Sequence, residues 1–153
     1  MISQDDDFDE RPHVAVRCQD NASVRVGFHD RHSSDGHCAH YAVAVEAPGM
    51  RARIDDAVAW IGDGGDLAPF LEKLAADFAG WDGERRWQTN DRDLTVTAVF
   101  RSGGYIALTW TLRPWRHDAG RWSASVTTRL EAGEQMASLA ADIRHFLEDG
   151  AAR

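Results

Sequence analysis

Apolar and polar residues alternate along much of the chain. Val14, Val16 and Cys18 fall on one face of a short strand, and Val24, Val26 and Phe28 on one face of the next. Gln19-Asp20-Asn21 between them is turn chemistry and predicts a hairpin. Residues 29–36 are polar and predict a loop. Tyr41, Val43 and Val45 make a third strand, closed by Pro48-Gly49, and Ala52, Ile54, Val58 and Trp60 a fourth that Asp55 and Asp56 interrupt. After the loop Gly62-Asp63-Gly64-Gly65 the period changes. Leu67, Phe70, Leu71, Leu74, Ala75 and Phe78 lie at helical spacing, with Asp66 as N-cap. Pro69 sits in the first turn, where a missing N–H costs little, and Gly80 ends the helix.

The second half repeats the plan. Leu94, Val96, Ala98 and Phe100 form one strand, and Gly103-Gly104 predicts a tight hairpin. Ile106, Leu108, Trp110 and Leu112 form the next, and Trp122, Ala124, Val126 and Leu130 the last. A closing helix over residues 134–148 buries Met136, Leu139, Ala140, Ile143, Phe146 and Leu147, and Gly150 stops it. Hairpin-joined strands pair antiparallel, and each amphipathic helix needs an apolar surface to cover. The expected fold is α+β in the order strands, helix, strands, helix. About seven antiparallel strands form one curved sheet, or two, with both helices on the apolar side.

Composition bounds the rest. A chain of 153 residues suits a single domain. Its 43% hydrophobic content argues against disorder over most of its length. The formal charge is −8, but Asp5, Asp6, Asp7, Asp9 and Glu10 put five charges in the first ten residues. The remainder holds 17 basic against 20 acidic residues, a net −3. Residues 1–12 are therefore expected to be an acidic, disordered tail before a domain over residues 13–150. The near-balanced body lacks the clustered positive charge that duplex nucleic acid requires. No apolar run approaches the ~18–20 residues of a membrane span. The acidic start is unlike a secretory leader, and Cys18 and Cys38 are too few for a disulfide framework, so a cytoplasmic protein is expected.

Two clusters carry candidate chemistry. Trp81, Glu84, Arg85 and Trp87 follow the first helix, and Arg113 and Trp115 follow the Trp110 strand. Trp and Arg are the residue types that dominate interface hot spots, and Arg stacked on Trp gives a rigid recognition surface. The competing role for a Trp at such a corner is to plug the core. The second cluster is His29, His32, His37 and His40 with Cys38, Asp30 and Asp35. These side chains can bind zinc. Their spacing matches neither a zinc finger nor H-E-x-x-H, and a polar, pH-responsive loop is the simpler expectation. Thr109, Thr111, Ser125 and Thr127 mark a polar sheet face. No nucleophile elbow, Walker loop or C-x-x-C occurs, and no cofactor is expected.

Gly80-Trp81-Asp82-Gly83-Glu84-Arg85, Ser102-Gly103-Gly104, residues 109–115 (Thr-Trp-Thr-Leu-Arg-Pro-Trp), Thr127-Thr128 and residues 130–136 occur in an order that resembles the small bacterial family known as domain of unknown function 6228. The resemblance runs from about Val14 to Leu147 and implies no catalytic residue. The later half is also similar in pattern to immunity proteins that neutralise bacterial toxins, which bind a protein surface and catalyse nothing. The expected function is thus a non-enzymatic binding module for a protein partner, engaged through Trp81, Glu84, Arg85, Trp87, Arg113 and Trp115. The alternatives are a metal- or small-ligand-binding protein or hydrolase using the histidine segment, and a homo-oligomer packed through exposed aromatics.

Overall fold

Alternation from Val14 to Trp60 builds an antiparallel meander of β1 (Val14–Cys18), β2 (Asn21–His32), β3 (Cys38–Ala47) and β4 (Met50–Trp60). Helix α1 (Leu67–Ala76) follows. The second meander runs β5 (Glu84–Gln88), β6 (Leu94–Arg101), β7 (Tyr105–Leu112) and β8 (Ala124–Glu131), and α2 (Glu134–Glu148) closes the fold. This computed structural model describes residues 13–33, 37–60, 67–116 and 119–148. The acidic segment 1–12, the Asp66 cap and Gly150 lie outside them.

The α+β class, the antiparallel pairing and the two helices agree with the sequence. Among the described residues the strands number eight rather than about seven, and they form two four-stranded sheets, the second of the two arrangements expected, not one curved sheet. The extra strand is β5, whose sequence Glu-Arg-Arg-Trp-Gln offers a single apolar side chain. Arg85 and Trp87 alternate inward on it because the aliphatic stem of an arginine can cover apolar surface while its head stays polar. Strand β2 also continues through His32, into the segment expected to be loop. Phe78 was expected on the buried stripe, but α1 ends at Ala76 and Phe78 is 64% exposed.

Both sheets face a shared core. Phe28 lies at its centre, with ring centroids 5.8 Å from Tyr41, 5.8 Å from Trp110 and 6.3 Å from Phe146. One knot thus joins β2, β3, β7 and α2. Trp110 is fully buried and its indole N–H donates to Thr128 Oγ1 at 2.9 Å, so its polar edge is satisfied. The sheets also touch along β1 and β8: the Gln19 N–H donates to the Arg129 carbonyl at 2.8 Å, and the Arg129 N–H to Cys18 Sγ at 3.3 Å. The helices are tied by a two-pronged contact of Arg144 on Glu72, with Nη2 to Oε1 at 2.7 Å. Gly103 and Gly104 hold φ of 91° and 82°, left-handed conformations that glycine adopts without strain, in the three-residue turn between the paired Arg101 and Tyr105. Among the described residues, no helix is long and apolar enough to cross a membrane.

Candidate functional site

The first sheet is irregular where the second is not. On β2, His29 lies opposite Ala42 and His32 opposite His40, so three steps on one strand match two on the other. On β4, Ile54 lies opposite Val43 and Ala57 opposite Tyr41, again three steps against two. Each mismatch is a bulge, a device that re-aims side chains and concentrates near functional sites. Asp30, within the first bulge, has φ 57°, a left-handed conformation that disfavours most non-glycine residues. Asp55 and Asp56 form the second, which explains why they interrupt the apolar alternation.

Register then sets the outward face. In one cross-strand row Arg17 is opposite Arg25, Arg25 opposite Glu46 and Glu46 opposite Arg51. In the next row Ala15, Gly27, Ala44 and Arg53 are aligned. The small middle residues form the floor of a trough of about 710 Å³, whose walls include the four arginines, His13 and His29. Glu46 accepts from Arg25 Nε at 2.5 Å and from Arg51 Nε at 2.6 Å. These guanidinium groups, Arg25 foremost, hold its carboxyl below the usual range. Arg53 donates to Asp55 at 2.5 Å and to Asp30 at 3.0 Å. Asp30 is likewise kept low, first by its hydrogen bond from His29 and then by Arg53. Arg17 has no ion-pair partner among the described residues. The result is an arginine-lined concavity in which Arg25, Arg51 and Arg53 are paired with Glu46, Asp30 and Asp55.

At the end of the same face the bulges assemble a second group. His29 and His32 are three residues apart and would point to opposite sides of a regular strand, but the β2 bulge returns both to the outward face. His32 and His40 stack at 5.2 Å with ring planes 12° apart. His40 Nδ1 donates to Asp56 Oδ1 at 2.7 Å, while Cys38 Sγ lies 3.6 Å from His40 Nε2. Donor atoms of His32, His40 and Asp56 all lie within 4.8 Å of one another. Of the four histidines in the sequence cluster, His29 joins the trough and His37 is exposed just before β3.

The six residues expected to form one Trp/Arg surface are divided between two ends of the second sheet. Trp81 is half-buried against Phe100, 5.4 Å between centroids, with the Arg85 guanidinium 4.4 Å over its ring. Arg85 also donates to Asp77 at 2.7 Å and, as the first cause, keeps that carboxyl low. Trp87 packs on the core and Glu84 is exposed. Arg85 is level with Ala98 and, through it, Leu108. Arg113 follows five residues beyond Leu108, roughly 16 Å further at ~3.3 Å per residue. Beside it Trp115 is 55% exposed, with Arg116 over its ring. Trp81, Arg85 and Trp87 therefore brace the sheet, and Arg113 and Trp115 belong to a separate patch.

The arginine trough escapes a linear reading because its members come from four strands. Part of the signal is present: Ala15, Gly27 and Ala44 are small residues at outward positions, whereas Arg25 comes opposite Arg17 only through the register shift between Arg17 and Cys18. Together, the fold and this face define an α+β protein of two antiparallel meanders with an arginine-lined outer concavity. Residues 17–150 match the model of a family of unknown function, DUF6228, and the chain belongs to that family. No curated protein and no solved structure matches it.

Proposed function

We propose that this protein is a non-enzymatic, cytoplasmic binding module that holds an acidic protein partner on the outward face of its first sheet. Arg17 directly opposite Arg25, with Arg51 and Arg53 beside them over a floor of small residues, carries the reading. Arg25 and Arg51 share the Glu46 carboxylate and Arg53 is held by Asp30 and Asp55, which leaves Arg17, facing the like charge of Arg25, to take an incoming carboxylate. The guanidinium groups span four strands, about 14 Å at ~4.8 Å per strand step, which suits several carboxylates on a surface better than one small anion. Arginine is the side chain that best grips a carboxylate with paired N–H donors. An immunity-like role, occupying the surface of another protein, is the form of action this site favours.

The test uses a fluorescein-labelled hexaglutamate peptide and the full chain, followed by anisotropy at rising salt. Binding should weaken steeply with ionic strength. Arg17→Glu with Arg51→Glu should reduce affinity at least ten-fold, whereas Arg86→Glu, on the opposite sheet, should leave it within two-fold. Equal loss in both variants, or no binding by the wild type, would refute the assignment.

A further inference from the structure

We infer that His32, His40 and Asp56 form a binding site for a divalent transition metal, zinc being the simplest occupant. Two imidazoles and a carboxylate are ligands zinc accepts, and here their donor atoms already lie within 4.8 Å of one another. Metal–ligand bonds of about 2.0–2.2 Å need donors roughly 3.3 Å apart in a tetrahedral arrangement, so closure asks for movements near 1 Å.

The site comes from three strands and two bulges rather than from neighbouring residues. The β2 bulge brings His32 opposite His40, and the β4 bulge places Asp56 beside His40. Both distortions, and the left-handed Asp30, converge on this corner. Backbone irregularity of this kind persists where the surroundings enforce it.

The chemistry at His40 follows from its partners. An ionised carboxylate only accepts, so Asp56 fixes the proton of His40 on Nδ1. The metal takes that proton's place between Nδ1 and Asp56 Oδ1. The neutral imidazole then carries its proton on Nε2, where Cys38 Sγ lies 3.6 Å away as acceptor. A partner bonded to the far ring nitrogen in this way orients a ligating histidine. His32 supplies the other nitrogen. Its ring lies nearly parallel to that of His40, so it must turn about Cβ–Cγ to aim its lone pair at the metal. His32 is exposed, and rotation of such a side chain is fast. Arg53, on the same strand as Asp56, is held by Asp30 and Asp55. A fourth position stays open to water or an incoming ligand.

The experiment takes the full chain, purified without a histidine tag and stripped with chelator, and titrates it with zinc chloride by calorimetry. Cobalt chloride then gives a visible spectrum reporting coordination. One equivalent of zinc should bind, with a tetrahedral cobalt spectrum. His32→Ala and His40→Ala should each lower affinity at least ten-fold. Asp56→Asn should lower it too, and His37→Ala should leave it unchanged. Circular dichroism of each variant confirms the fold. Absence of stoichiometric zinc binding, or binding that survives His32→Ala and His40→Ala but falls with His37→Ala, would overturn the site.

Discussion

The two sheets share one plan, four antiparallel strands followed by a helix, yet their outward faces differ in kind. In the second sheet each pairing runs in unbroken register, and Thr95, Thr111 and Ser125 align beside Thr97, Thr109 and Thr127. Neighbouring hydroxyls bond one another, Thr109 to Thr127 at 2.9 Å and Thr111 to Ser125 at 2.8 Å, which gives a self-satisfied polar surface. Register shifts occur in all three pairings of the first sheet, whose outward face gathers four arginines, histidines and aspartates. The regular meander behaves as scaffold; the irregular one holds charges where local strand geometry alone would not place them.

The largest test of this division lies in the core that both halves share. Trp110→Ala removes a fully buried indole touching Phe28 and should cost about 3–5 kcal/mol. Urea unfolding should remain a single transition, because one aromatic knot spans both sheets. Separate melting of the halves would break the account.

Next comes the bulge. Asp30→Ala should destabilise more than Asp30→Gly, by about 1 kcal/mol, since a left-handed φ is free for glycine and strained for alanine. Equal costs would mean that the side chain's bonds to His29 and Arg53 matter and the backbone does not.

Two carboxylates give opposite pH signatures. Burial pushes Asp93 above its ordinary range, with Thr89 bonded to Oδ1 at 2.5 Å. The folded chain therefore holds this proton more tightly than the unfolded one. Its contribution is present below the ordinary aspartate pKa and is lost as pH rises through the raised value. Asp93→Asn should abolish that loss. Glu72 is held low by its hydrogen bonds from Arg144, so its contribution is present above the ordinary glutamate pKa and fades as pH falls through the lowered value. As an exposed ion pair it should be worth no more than about 1 kcal/mol, measured by Glu72→Gln unfolding across pH.

The smallest effect sharpens the contrast most. Arg17→Glu turns a like-charge cross-strand pair with Arg25 into an attractive one, and should stabilise the free chain by about 0.2–1 kcal/mol while weakening acidic ligands. Loss of both stability and binding would show that Arg17 serves the fold.

Periodicity made the regular parts legible. All six side chains assigned to the buried stripe of α2 are buried, and the alternation of β7 holds residue by residue; in β6 it fades at Phe100, and β8 starts at Ala124, after Trp122. It failed where a rule was locally broken. Strand β5 puts an arginine inward, and the two bulges invert the phase of alternation, so a histidine spacing that looks mismatched becomes a shared face. The trough was hidden for another reason: Arg17, Arg25, Arg51 and Arg53 become neighbours only through register, which depends on the whole sheet. The Trp/Arg motifs were conspicuous in the chain, yet Trp81 and Arg85 are spent on each other, on Phe100 and on Asp77.

The most direct test of the basic face is a ¹H–¹⁵N NMR titration of the labelled chain with hexaglutamate. The account predicts shifts at Arg17, Gly27, Ala44 and Arg53, with Thr97, Thr109 and Thr127 unmoved. Shifts centred on the threonine face, or on Arg113 and Trp115, would contradict it.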